Sequence, residues 1–252
     1  KDADVMKLYD LLASGETTSG VGLGRERDRW RAVVAVSRGE PSEPSELRSF
    51  TSEDCGAWEP AGAVDAAGAL GPSLVARDGA APELHYFRAG DTPGSYELVR
   101  ADDASAAARS DRPLCVVGAE LGLAFPVTIA RLAGELALVY PARAASASAG
   151  LALASWAPSW DDPPRRVELP LLAPDRDAGE QTLRAGALVV TAGRTSLVYS
   201  ASGRTLPFGW PESHGSGTFV WSAAVSATDP PAATLLPPFA CGDGQCEPGA
   251  ED

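Results

Sequence analysis

Only two histidines stand in this chain, His85 and His214. A nucleophilic triad needs a Ser or Cys beside an imidazole base, so these two positions bound the acyl-transfer chemistry open to it. No G-x-S-x-G elbow is present to expose a nucleophile. His85 alternates with Leu84 and Tyr86 on a predicted strand and reads as a structural residue. His214 stands in Gly209-Trp-Pro-Glu-Ser-His-Gly-Ser-Gly217, a stretch of turn formers. There Trp210 offers a stacking face and Glu212 and His214 offer polar handles, a combination suited to binding a sugar on a loop. Val21-Gly-Leu-Gly-Arg25 is not a dinucleotide fingerprint, because the third Gly and the following helix are both absent. Trp156 and Trp160, which flank Ser155 and Asp161-Asp162, read as packing residues.

Cys55, Cys115, Cys241 and Cys246 make an even set, and the close C-terminal pair suits an oxidising compartment better than the cytosol. The disulfide partners stay open, with two buried thiols at Cys55 and Cys115 as the alternative. The 34 acidic residues outnumber the 21 basic ones, for a net charge of -13 and a pI near 4.6. Phosphate backbones and anionic membrane surfaces are repelled by such a balance, so nucleic acid is not an expected partner. No stretch approaches the length of apolar sequence that crosses a bilayer, and residues 1–12 lack the basic start and apolar run of a signal peptide. Membrane insertion is not expected. The absence of an initiating Met and a stop inside a Cys motif read as both ends cut from a longer precursor.

The elements that must position any site show themselves as a repeat. With 44% hydrophobic residues in 252, the chain can bury a sizeable core as one main domain. Its 26 Gly and 21 Pro punctuate short apolar runs, and no window holds helical spacing for long. Four segments share one plan. First strands start at Val21, Ser73, Val127 and Ala187, which lie 52, 54 and 60 residues apart. Second strands are Ala32–Val36, Leu84–Phe87, Leu136–Tyr140 and Ser196–Tyr199, three of them placing Tyr86, Tyr140 and Tyr199 in matching positions. Third strands are Glu46–Phe50, Ser95–Val99, Gly150–Ala154 and Thr218–Ser222. Weaker fourth strands follow at Ala63-Val64, Cys115–Val117, Val167–Leu169 and Thr234–Leu236. Gly in the first-to-second turns, as in R-D-G-A-A-P and T-A-G-R-T, supplies the positive φ of a hairpin. The second-to-third loop of the fourth unit, which holds Trp210 to His214, is roughly twice as long as its counterparts.

Four antiparallel strands recurring at about this period describe the blades of a β-propeller, the all-β architecture that packs sheets radially and hides most edges. A β-sandwich or a two-domain β protein is the competing reading. Four blades are visible, and five are expected when the protein is complete. The expected division is residues 1–12 as the end of a preceding blade, 13–236 as the propeller and 237–252 as the start of a Cys-rich repeat.

F-T-S-E-D-C-G-A-W-E-P-A-G-A-V and G-P-S-L-V-A-R-D-G-A-A-P-E-L-H-Y-F-R-A-G resemble the blade pattern of the five-bladed propeller glycosidases, the arabinanase, xylosidase and levansucrase group. The resemblance covers roughly residues 20–225. It implies glycosyl hydrolysis or transfer by carboxylates that project from the inner strands into a central funnel, one as general acid and another as base or nucleophile. Those acids belong at or beside the starts of the first strands. Here the starts read Ser19-Gly20, Gly71-Pro72, Ala124-Phe125-Pro126 and Arg184-Ala185-Gly186, with no acid among them. Glu16, Asp65, Glu120 and Glu180 stand shortly before the first strands and are the weak catalytic candidates, with solvated surface roles as the plainer reading. The reading is therefore a secreted or cell-surface module of glycosidase type that binds glycan without catalysis. An active glycoside hydrolase and a protein-interaction scaffold are its rivals.

Cys241-Gly-Asp-Gly-Gln-Cys246-Glu-Pro-Gly-Ala-Glu-Asp252 resembles the opening of a small Cys-rich repeat found near the ends of myxobacterial secreted and surface proteins. Asp243 and Glu247, with Glu251 and Asp252, crowd Gly-permitted turns and could supply oxygen ligands to Ca²⁺, against a disulfide knot with solvated acids. A zinc site is disfavoured by the C-x4-C spacing with no second ligand pair. Beyond Ca²⁺ no cofactor is expected.

Overall fold

The computed structural model describes residues 12–39, 46–54, 57–64, 68–77, 80–101, 111–117, 123, 125–132, 135–142, 150–156, 165–166, 172–174, 182–191, 194–202, 218–226, 232–235, 240–241 and 246–247. All regular structure among them is β-strand. The first sheet is a meander of β1 (Thr17–Glu26), β2 (Arg29–Ser37), β3 (Glu46–Ser52) and β4 (Glu59–Val64). The second repeats it with β5 (Leu70–Arg77), β6 (Ala80–Ala89), β7 (Tyr96–Ala101) and β8 (Asp111–Val117). The third holds β9 (Thr128–Leu132), β10 (Glu135–Ala142), β11 (Gly150–Trp156) and the short β12 (Arg165–Arg166). The fourth holds β13 (Thr182–Thr191), β14 (Arg194–Ser202), β15 (Thr218–Ser226) and β16 (Ala232–Leu235). A separate ribbon pairs β17 (Ala240–Cys241) with β18 (Cys246–Glu247), placing Cys241 opposite Cys246 in register.

First strands of successive sheets lie side by side in chain order, β1 on β5, β5 on β9 and β9 on β13. They are the inner strands of radially packed blades, and the molecule is an all-β propeller with four-stranded antiparallel blades. Every expected strand falls on an observed one except the fourth of the third blade. There β12 is Arg165–Arg166, and the Val167–Leu169 segment lies outside the described residues, as do residues 1–11. The first strands also reach further back than their apolar runs, to Thr17 and Thr182, because polar residues there still complete the ladder to Ser37 and Ser202.

Register explains the matched tyrosines. Tyr86, Tyr140 and Tyr199 take one position on the second strands, occupied by Val36 in the first blade, and all three are fully buried. Alternation along each strand sends one side chain to the preceding blade and the next to the following one. Val33, Ala35 and Leu47 of the first blade thus meet Leu74, Leu84 and Tyr86 of the second. Leu70, Val75, Phe87 and Leu98 of the second meet Val127, Ile129, Leu138 and Tyr140 of the third. On the first blade's other face, Leu12 and Trp58 pack against Val34, Val36 and Phe50.

The period-2 glycines of Ser-Gly-Val-Gly-Leu-Gly set how closely two inner strands approach. A Cβ on Gly22 would sit 2.9 Å from the Leu74 nitrogen and 3.0 Å from the Ser73 Cα. Gly71, at φ +51°, does the same for the next seam, where a Cβ would meet the Phe125 ring at 2.8 Å and Val127 at 2.7 Å. Seryl hydroxyls stitch the same seams. Gly71 N donates to Ser19 Oγ at 3.3 Å and Ile129 N to Ser73 Oγ at 3.1 Å, giving partners to edge amides that no ladder serves.

Gly22→Ala forces backbone against backbone across the first seam and is expected to destabilise by about 1–3 kcal/mol in denaturant unfolding. Its neighbour Leu23, 43% exposed, serves as the contrast: Leu23→Ser is expected to stay within about 0.5 kcal/mol. Equal losses in the two variants would show that the glycine spacing does not set blade approach.

Candidate functional site

The segments that the glycosidase resemblance nominated for catalytic acids are where the inner strands depart from regular pairing. The ladders slip there between Thr18 and Gly20, between Leu70 and Ser73, and between Ala185 and Ala187, and β5 slips again at its other end, between Val75 and Arg77. In the third blade the strand is preceded instead by a cis Phe125-Pro126 bond. Bulges re-aim side chains, and the first three lie at the end where the inner strands begin. What stands there is Ser19, Gly71, Pro72 and Phe125. Phe125 meets Phe87 and Tyr96 edge-to-face, with ring centroids 5.8 and 5.2 Å apart, which makes this part of the mouth aromatic.

Two described carboxylates come to this end of the first blade, Glu46 opposite Val36 and, directly before Thr17, Glu16. Its side chain, expected to be solvated, is only 5% exposed. Arg48, opposite Val34 on the third strand, grips it with both terminal nitrogens, at 2.8 Å to Oε2 and 2.7 Å to Oε1. Ala13 N donates to Oε2 at 2.8 Å, within a turn that Glu16 N closes on Ala13 O and that uses Gly15 at φ +84°. Arg48 Nε also binds Glu46 at 2.6 Å. The Arg48 hydrogen bonds first, then the Ala13 amide, hold the Glu16 carboxyl down at about 2. The arrangement keeps a permanent carboxylate, which can accept a hydrogen bond but has no proton to give near neutrality.

Asp65, Glu120 and Glu180 lie outside the described residues, as do the Trp210, Glu212 and His214 loop, Cys55 and Asp243. Cys115 falls on β8, Cys241 on β17, and Cys246 and Glu247 on β18. Among the described residues no group of three His, Cys, Asp or Glu is placed to hold a metal ion. A shallow cleft of about 230 Å³ on the outer turn of the first blade gathers Glu53, Asp54 and Glu59 beside Arg29, whose guanidinium pairs with Glu53 at 3.1 Å.

Sequence reasoning missed a charged cluster at the other end of the inner strands. Glu83, opposite Val75, is a buried carboxylate with a side chain 5% exposed. Arg77 and Arg100 of its own blade stand 3.3 and 3.6 Å away, and Arg131 of the third blade 4.0 Å away. His85 beside it is fully buried. Burial first, then the Arg100 charge, push it down to about 3, so it stays a neutral structural residue. The one available signal was Pro82-Glu-Leu-His-Tyr86, where polar residues alternate with apolar ones on a strand that burial on both faces should have made uniformly apolar.

The Glu16 pair makes stability acid-sensitive. A carboxyl lowered from 4.5 to about 2 contributes its full stabilisation above the unfolded-state value and loses it as pH falls through the folded one. Glu16→Gln is expected to cost about 1–3 kcal/mol at pH 7, with the gap from wild type closing between pH about 4.5 and 2 in unfolding titrations. A gap independent of pH would remove the ion pair as its cause.

No protein-family model and no curated protein matches the chain by sequence. Solved structures match it by shape. An alpha-L-arabinofuranosidase from Lactobacillus brevis superposes with a TM-score of 0.58 at 12% identity, over 85% of this chain and 74% of that one. A xylan beta-1,4-xylosidase from Bacillus halodurans C-125 gives 0.61 at 16%, over 88% of this chain and 44% of that one. A GH43 endo-arabinanase from Bacillus licheniformis gives 0.53 at 13%, over 85% and 76%. This chain thus spans less than half of the xylosidase and about three quarters of the other two. At such identities the likeness is one of fold, and the fold is that of the arabinanase- and xylosidase-type glycosidase propellers.

Proposed function

We propose that this chain is a glycan-recognition module of glycosidase type that does not cleave its ligand and works in a secreted or cell-surface setting. The observation that carries the reading is the Glu16–Arg48 pair. Glycoside hydrolysis needs a carboxylic acid with a raised pKa facing a second carboxylate, at roughly 5 to 10 Å depending on stereochemistry. Glu16 is lowered to about 2 and locked by an arginine, the opposite of a general acid. The bulges of the first two inner strands carry Ser19, Gly71 and Pro72, and Phe125 precedes the third, none of them a carboxyl. Phe125 and Tyr96, both half-buried, suit a sugar face better than a reacting bond. The long Trp210 to His214 loop adds a second stacking and hydrogen-bonding candidate. The paired Cys241 and Cys246 positions support the extracytoplasmic setting.

Arabinose- and xylose-containing oligosaccharides are the first ligands to test, because the structures of like fold are named for acting on them. Saturable binding without release of reducing sugar is the expected result. Trp210→Ala is expected to weaken binding about tenfold or more, the loss typical of a stacking aromatic. Sustained turnover of any arabinoside or xyloside would replace this reading with the glycoside hydrolase one. Absence of binding across a broad glycan array would leave the protein-interaction scaffold.

A further inference from the structure

The ribbon of β17 and β18 has less to hold it than any blade. Each of its strands is two residues long, and they form a sheet of their own, in no ladder with the propeller. Its ladder is two pairs, Ala240 with Glu247 and Cys241 with Cys246. An isolated two-stranded hairpin is marginal in water even at ordinary strand length, so a ladder this short needs a further tie. Alanine opposite glutamate is neither an apolar nor an opposite-charge pair, which leaves cysteine opposite cysteine. Register gives that pair the spacing of a covalent link. Residues directly opposite in an antiparallel ladder share a face, with Cα atoms about 4.5 to 5.5 Å apart, and a disulfide takes about 4.4 to 6.8 Å. A slip of one residue would send the two to opposite faces. The residues between them, Gly242-Asp-Gly-Gln245, include two glycines, which suit a tight reversal, and a ring of six residues closes at small entropic cost. Cys115 stands opposite Leu98 instead.

We propose that Cys241 and Cys246 are joined by a disulfide that closes the ribbon into a covalent ring, and that Cys115 takes no part in it. The bond forms by exchange with a disulfide oxidant such as glutathione disulfide. One cysteine thiolate attacks the oxidant and displaces a glutathione thiolate, and the other cysteine attacks the mixed disulfide and displaces the second. The two protons and two electrons lost by the cysteines leave on two glutathione thiols. Closed in this way, the ribbon keeps its turn without a hydrophobic core. The extracytoplasmic setting proposed above supplies the oxidant and nothing else, since register alone fixes which cysteines meet.

The test is mass spectrometry of tryptic peptides from the full chain, first as isolated and then after equilibration in oxidising glutathione buffer, with free thiols alkylated before digestion and no reductant added. Both cysteines fall on the peptide that follows Arg204. That peptide is expected to be unalkylated and lighter by two hydrogens than its reduced form, and to take up two alkyl groups once reduced. Cys246→Ser is expected to make Cys241 fully alkylatable, and Cys115→Ser to leave the ring closed. The wild-type map decides the pairing without any variant, so poor folding of a variant cannot obscure it. A link from this peptide to Cys55 or Cys115, or alkylation of both Cys241 and Cys246 in the oxidising buffer, overturns the proposal. Protein that is reduced as isolated, yet closes the same ring in that buffer, keeps the pairing and removes the extracytoplasmic setting.

Discussion

Adjacent inner strands come within backbone contact of one another, and the rest of the propeller is arranged around that approach. At the first seam the period-2 glycines of β1 lie against Ser73 and Leu74, and at the second Gly71 lies under the Phe125 ring. Close approach at the axis lets the larger side chains further out on each blade meet in continuous layers. Tyr86 thus reaches Val33 and Leu47, and Tyr140 reaches Phe87 and Leu98. It also leaves little room for water at the inner edges, so the amides there need partners from the protein itself. Ser19 and Ser73 supply them across the seams.

Both ends of the inner strands carry a buried carboxylate, and the two are handled in different ways. At the bulged end Glu16 is fully satisfied by a bidentate arginine and a backbone amide, so it ties the start of the first blade to its third strand. At the far end Glu83 is outnumbered by arginines and touches each of them loosely. Among the described residues, Ser19, Gly71, Pro72 and Phe125 stand where the inner strands begin. Blades are held by their seams and chemistry by a few side chains at the strand ends, so the fold and the activity it carries are set by different residues.

The repeat could be read directly from residue types. Apolar runs of β-branched and aromatic residues with Gly-bearing hairpin turns recur at nearly one spacing, and among the described residues each such run is a strand in the expected order. Tyr86, Tyr140 and Tyr199 announced their common position because a period-2 pattern fixes which face a residue takes once the register is known. The strand starts were less legible. Thr17, Thr18 and Thr182 carry no apolar signal, and only their pairing with Ser37, Val36 and Ser202 extends the strands across the bulges.

The sequence by itself determined the blade plan, the acidic net charge and the lack of acids in the four segments at the channel mouth. These depend on local pattern and composition, which do not require distant residues to meet. Tertiary structure decided the roles of the charged side chains. Glu16 and Arg48 are 32 residues apart, and Glu83 and Arg131 belong to different blades. Nothing local distinguishes any of them from a solvated surface charge. Burial and the field of a partner turn such a residue into a locked ion pair or a buried charge cluster, and both are set by which strands lie side by side.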